Sequence, residues 1–286
     1  MKKLNDHVPS GGFTPEQKIW ISCGVLWKAL RPLILYACLP AMFMTIGMFF
    51  MRGRTAEDMI SASGNFYYAL GIVFTVVILH KRSKKRGSTL CEDVTLDYKE
   101  FDKKKMAELL FMGLGFGFFF SALLTVFPFP EFLMDSYRSS SNTLNEGTDQ
   151  ILALISTAIL APVAEEIVFR GYMLNRLLSW FDERKSILIT TALFAVCHVS
   201  LLWIAYAFAM GLLLTKVSIE EDNILYSMAL HIGFNASVVP IWIVNHVPAL
   251  ERVLFANHFL IAIYGVAACY GAVLLYKKYR KETKIW

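Results

Sequence analysis

The stretch Ala161-Pro162-Val163-Ala164-Glu165-Glu166-Ile167-Val168-Phe169-Arg170 sets two carboxylates and a guanidinium at the end of an apolar run that begins near Ile151. A charge near the centre of a bilayer costs roughly 2.5–3.5 kcal/mol on insertion scales, so intramembrane acids usually face a protein interior or a water cavity. Glu166 and Arg170 are four residues apart and share a helix face, the spacing of an ion pair. Glu165 diverges from Glu166 by about 100° and needs a different use. Two further polar pairs follow at the same spacing, Phe194-x-x-x-His198 and His231-x-x-x-Asn235. Glu165, with His198 beside it, could hold a water and accept its proton as general base. His231 and Asn235 could donate hydrogen bonds to the oxyanion that develops on a scissile carbonyl. No serine or cysteine is tied to these pairs as a nucleophile; Cys197 precedes His198 and points off its face, an inert filler. Glu, His and His form a known zinc ligand set, so a divalent metal, if one takes part, falls to Glu165, His198 and His231. No His-Glu-x-x-His pair is present, and those ligands come from three separate helices.

The elements that must position these groups are membrane spans. Of 286 residues, 56% are hydrophobic, above the roughly 45–50% of a soluble domain, and the excess is gathered into long runs. These fall at about Leu33–Met51, Phe66–His80, Glu108–Phe127, Ile151–Phe169, Ile187–His198, Leu201–Val217, Ile224–Val244 and Asn257–Tyr276. The reading is all-α, a polytopic transmembrane bundle of about eight spans, the second and fifth short against the usual 17–25 residues. No polar stretch is long enough for a soluble domain. One integral membrane domain is expected, with an N-terminal part over 1–150, core helices over 151–244 and a last helix with basic tail over 245–286. Ile19–Leu30 is either a surface-lying amphipathic segment or an extension of the first span, and the N-terminus lacks the uninterrupted apolar core of a cleavable signal. Ser139-Ser140-Ser141-Asn142 reads as a polar loop, and no internal repeat is visible. The five cysteines show no CxxC pair and serve as apolar fillers.

Basic residues crowd alternate connections: Lys2 to Arg31, Lys81 to Lys105, Arg170 to Lys185, and Lys277 to Lys284. The remaining connections are poor in them, so both termini are expected in the cytoplasm. The net charge of +5 lies in these connections; the Lys81–Lys105 connection either recruits a partner or fixes topology and touches anionic lipid, and no nucleic-acid partner is expected. Glu165, His198 and His231 then fall at depths that differ by roughly 10 Å or less at 1.5 Å per residue, which allows a shared cavity in the cytoplasmic half of the membrane.

At Glu-Glu-x-x-x-Arg over 165–170, Phe-x-x-x-His over 194–198 and His-x-x-x-Asn over 231–235, the sequence resembles the CPBP family of intramembrane proteases. That family includes the type II CAAX prenyl endopeptidases and bacterial bacteriocin-processing or immunity proteins. The resemblance covers roughly Ile151–Val244. It implies a helical bundle whose conical catalytic cavity opens to the cytoplasm. It also implies a water activated by Glu165 and His198, an oxyanion site at His231 and Asn235, and support from Glu166, Arg170 and Phe194. The expected activity is endopeptidase cleavage of a membrane-associated peptide or protein, prenylated or a peptide precursor, without a fixed metal requirement. Two other classes fit the same residues: a non-enzymatic scaffold or immunity protein, and a proton-coupled transporter using the acids and histidines as a relay.

Overall fold

The computed structural model describes residues 13–50, 64–145, 150–198, 200–255 and 257–283. Basic residues such as Lys2, Lys3, Arg52 and Lys284 lie outside the described residues. Twelve helices follow in order, and no strand occurs among the described residues. They are α1 (Pro15–Phe50), α2 (Asn65–Lys85), α3 (Leu90–Val94), α4 (Lys103–Val126), α5 (Glu131–Asn145) and α6 (Gln150–Leu178). Then come α7 (Glu183–Val196), α8 (Leu201–Glu221), α9 (Ile224–Ala236), α10 (Val238–Asn245), α11 (Pro248–Leu254) and α12 (His258–Thr283).

Within the described residues each of the eight apolar runs lies largely on helix. Six helical stretches are long and apolar enough to cross a membrane: α1, α4, α6, α8, the continuous α9–α10 pair and α12. The chain is an integral membrane protein. The other two runs form α2, whose last turns carry Arg82, Lys84 and Lys85, and α7, only 14 residues long. At 1.5 Å per residue α7 reaches about 21 Å, less than the roughly 30 Å of a hydrocarbon core. The first run is the C-terminal half of a longer helix: Ile19–Leu30 extends α1 on its N-terminal side, with Trp20 and Trp27 exposed along it. The expected polar loop at 139–142 is instead the latter part of α5, which starts after Phe127-Pro128-Phe129-Pro130.

Close backbone approach sets the position of α9 against α4. A Cβ on Gly113 would lie 2.0 Å from the Leu230 carbonyl oxygen, and one on Gly233 would lie 2.0 Å from that of Leu110. Small residues let transmembrane helices approach this closely, where packing rather than a hydrophobic driving force holds them together. α12 packs on the other flank of α4. The main core cluster runs from Val25 on α1 to Tyr279 on α12.

One end of the bundle is closed by polar contacts. Asn223 caps α9 through Leu225 N, and its amide also exchanges bonds with the Asp97 backbone: Nδ2 donates to Asp97 O at 2.9 Å and Oδ1 accepts from Asp97 N at 3.1 Å. Asn175 donates to Thr95 Oγ1 at 3.0 Å, and Val94 is fully buried beneath. Lys105 pairs with Glu221 at 2.9 Å, Lys278 with Glu108, and Tyr279 donates to Glu220 at 3.0 Å. In α3, partial burial pushes the Asp93 carboxyl up, but bonds from Ser83, Ser88 and Arg86 outweigh it and hold the group below the usual range. This end also carries Arg82, Lys84, Lys85, Lys103–Lys105, Arg176, Arg184, Lys185, Lys277 and Lys281; it is the basic end.

Candidate functional site

Glu165 stands near the middle of α6, not at its end. The helix continues past Arg170 to Leu178, which leaves Glu165 about 20 Å from that terminus at 1.5 Å per residue. Pro162 has no N–H to return to its preceding turn, and wide π-helical turns at Ser156–Leu160 and Glu166–Leu174 flank the five α-helical residues Ala161–Glu165. Such turns re-aim side chains and are frequent at functional sites. They send the adjacent acids into two different environments.

Glu166 faces a dry interior. Its Oε1 accepts from Arg170 Nη1 at 2.8 Å and from His231 Nδ1 at 2.9 Å, with Arg170 fully buried and the His231 side chain 6% exposed. The spacing that predicts a surface ion pair therefore gives a buried one. Arg170 is further held by the Gly211 carbonyl at 3.2 Å and Thr215 Oγ1 at 3.4 Å, and it stacks 4.4 Å from the Phe194 ring centroid. Burying a guanidinium is tolerable only when its donors are paired in this way. Phe194 thus does more than fill space: its ring lies between Arg170, His198 at 4.8 Å and His231 at 5.7 Å.

Glu165 faces a chamber. Its side chain is 15% exposed, with Oε2 3.6 Å from His231 Nε2. The other oxygen, Oε1, accepts from the Tyr36 hydroxyl at 2.9 Å. Because the Glu166 carboxylate accepts from His231 Nδ1, the hydrogen sits on Nδ1 and Nε2 is turned toward Glu165. His198 Nδ1 donates to the Phe194 carbonyl at 2.8 Å, so in the neutral ring Nε2 keeps its lone pair. Asn235 Nδ2 donates to the Thr157 carbonyl at 2.9 Å, which fixes the amide and leaves its second hydrogen.

All four residues, Glu165, His198, His231 and Asn235, line one chamber of ≈ 760 Å³. The histidine nearest Glu165 is His231; His198 stands across the Phe194 ring. Tyr36 and Tyr68, from α1 and α2, complete the surroundings of Glu165 and are not marked by any motif. Cys197 is exposed and is not part of the lining. Among the described residues no three His, Cys, Asp or Glu side chains converge as a metal would require. His231 Nδ1 and His198 Nδ1 are both bonded to protein oxygens, which leaves Nε2 of each ring to act in the chamber, and the chemistry argued below runs on these side chains.

The chamber reaches the surface at Thr125, Arg138, Asn245 and His246, all exposed and all at the end opposite the basic one. Its floor, at Phe194, Met210 and His231, is buried. Two expectations from sequence, basic segments in the cytoplasm and a cavity open to the cytoplasm, therefore cannot both hold.

Residues 147–237 match the family described as type II CAAX prenyl endopeptidase Rce1-like, in agreement with the motif resemblance. A curated protein of Escherichia coli, described as "Uncharacterized 24.3 kDa protein", is 38% identical over 88 residues, which cover 29% of this chain and 41% of that protein. The chain thus spans less than half the length of that relative. No solved structure matches the chain.

Proposed function

We propose, taking the match of residues 147–237 to the Rce1-like prenyl endopeptidase family as premise, that this chain is an intramembrane endopeptidase. It hydrolyses a peptide bond of a membrane-associated peptide or protein with a water activated by Glu165. The observation that carries the reading is the asymmetry of Glu165: Oε1 is fixed by Tyr36 at 2.9 Å, while Oε2 faces the chamber and His231.

In the sequence of events Glu165 acts twice, first as base and then as acid. A water held at Glu165 Oε2, in the chamber that His198 also lines, loses a proton to Glu165, and its oxygen bonds to the carbonyl carbon of the substrate. The oxyanion that forms takes hydrogen bonds from Asn235 and, in its imidazolium form, from His231, whose ring Glu166 holds through Nδ1. Glu165 then passes its proton to the leaving nitrogen as the C–N bond breaks, giving a carboxylic acid, which keeps the second water proton until it ionises, and an amine. Arg170 does not touch the reacting atoms; it neutralises Glu166 and so keeps His231 oriented. General-base participation contributes typically 10²–10⁴-fold, and an oxyanion donor about 10²–10³-fold.

The test is cleavage of a tagged membrane-peptide library by purified protein, with products mapped by mass. Glu165→Gln and Glu165→Ala should lose cleavage by at least about 10²-fold while retaining the elution profile of a folded protein, and His198→Ala should fall similarly. Cleavage that survives in all three variants would sink the mechanism.

A further inference from the structure

The clash between a cytoplasmic basic end and a cytoplasmic cavity can be resolved from the lining itself. Every helix that contributes to the chamber does so through the half remote from the basic end. α4 gives Gly117 to Thr125 and nothing nearer its lysines; α6 gives Gln150 to Glu165 and nothing beyond. α8 contributes only Trp203 to Met210, and α9–α10 only His231 to His246. The opposite end is closed by the 94–102 segment, which Asn175, Asn223 and Tyr226 hold down: Asp102 N donates to the Tyr226 hydroxyl at 2.8 Å. The pairs of Lys105 with Glu221 and Lys278 with Glu108 lie across the same end. A basic bias in the connections sets the overall orientation of a multispanning protein, with lysine and arginine kept in the cytoplasm.

We infer that the chamber is loaded from the non-cytoplasmic side of the membrane, by an extended segment of an exported or outward-facing polypeptide. Entry passes between Tyr137 on α5, Trp203 on α8 and Trp242 on α10. Tyr137 and Trp203 meet edge to face at 5.8 Å, and Trp242 Nε1 donates to Gln150 Oε1 at 3.3 Å. Aromatic rings of this kind gather at the membrane–water boundary, which sets the mouth at that boundary and Glu165 below it. An aromatic mouth with amide groups at Asn245 and Gln150 suits apolar side chains on a peptide backbone that must shed water as it descends. The identity of the occupant as a peptide rests on the endopeptidase reading; the side of entry does not.

Side-specific cysteine labelling separates the two. In a variant with the five native cysteines changed to serine, single cysteines are introduced as Asn245→Cys and Thr125→Cys at the mouth and Lys277→Cys at the basic end. A membrane-impermeant maleimide is applied to intact cells and to inverted vesicles. The expected pattern is labelling of both mouth positions in intact cells and of the basic-end position only after inversion. The second mouth position serves if one variant loses its folded elution profile. Mouth labelling confined to inverted vesicles, equal from both sides, or absent until denaturation overturns the inference. The same labels read in the Glu165→Gln background require no catalysis. A wild type without cleavage but with the expected pattern would thus remove the endopeptidase reading and leave the outward-facing chamber in place.

Discussion

The Tyr36 hydroxyl reaches Glu165 Oε1 across 129 residues of sequence, while Glu166 meets His231 across 65 and Arg170 across only 4. Only the last of these is a helix-local spacing, and only that contact can be derived from the sequence by geometry. The other two depend on where α1 and α9 lie, so the motifs name the acid and the histidine without saying that His231, rather than His198, is the one beside Glu165. Tyr36→Phe removes one hydrogen bond to a carboxylate, worth about 1.5–3 kcal/mol. Its expected effect is a fall in kcat of roughly 10- to 100-fold with KM little changed; unaltered kcat would show that Oε1 needs no fixing. At the neighbouring acid, Glu166→Gln strands Arg170 without a counter-charge in a dry site, where breaking a buried pair costs about 3–5 kcal/mol. The apparent Tm in detergent should drop sharply. Arg170→Lys should not preserve the wild-type value, because one ammonium cannot bond Glu166, Gly211 and Thr215 while stacking on Phe194.

Among the elements, the fit of α4 to α9 is the one on which His231 and Asn235 depend. Gly113 and Gly233 have no side chain, and each faces a carbonyl oxygen of the other helix at a distance no Cβ tolerates. Gly113→Ala should push α9 away, lowering both cleavage and apparent Tm. Gly24→Ala on α1, where a Cβ would meet nothing within 4 Å, should leave both unchanged or raise the Tm, since alanine is the better helix former by about 1 kcal/mol. Equal effects at the two positions would show that the close approach is not what positions α9. The cap at the start of α9 has a similar role: Asn223→Ala loses the bond to Leu225 N and both bonds to Asp97. A lost N-cap alone costs about 0.5–2 kcal/mol, so a measurable fall in Tm is expected, with limited proteolysis opening the 94–102 segment first. Eight apolar runs were legible as helices because apolar length is a local property. The glycine contact and the helical state of 131–145 were not, since the first is set by a partner helix and the second by packing of α5 on α8 and α6.

For the molecule as a whole, the recognisable segment and the working unit are different sizes. The family match covers residues 147–237, and the Escherichia coli relative aligns over 88 residues. Yet the chamber takes Tyr68 from α2 and Gly117 to Thr125 from α4, and Glu165 takes its hydrogen bond from Tyr36 on α1. α9 has its most extensive packing on α4, which lies outside the matched segment. The motifs name the candidate site side chains but not the wall that holds them, because a wall of leucine, glycine and phenylalanine leaves no residue-type signature. The chamber's open side was hidden for the same reason: it depends on which halves of seven helices pack tightly. Residues 147–245 produced alone should therefore lack both a fixed chamber and a fixed Glu165. In detergent that fragment is expected to be digested throughout by protease and to cleave no peptide, whereas the full chain retains a resistant core. Adding back residues 1–127 as a separate chain should restore some resistance, because α4 supplies the missing face for α9. A lone fragment with the resistance and specific activity of the full chain would show that the first three long helices only anchor the site and do not build it.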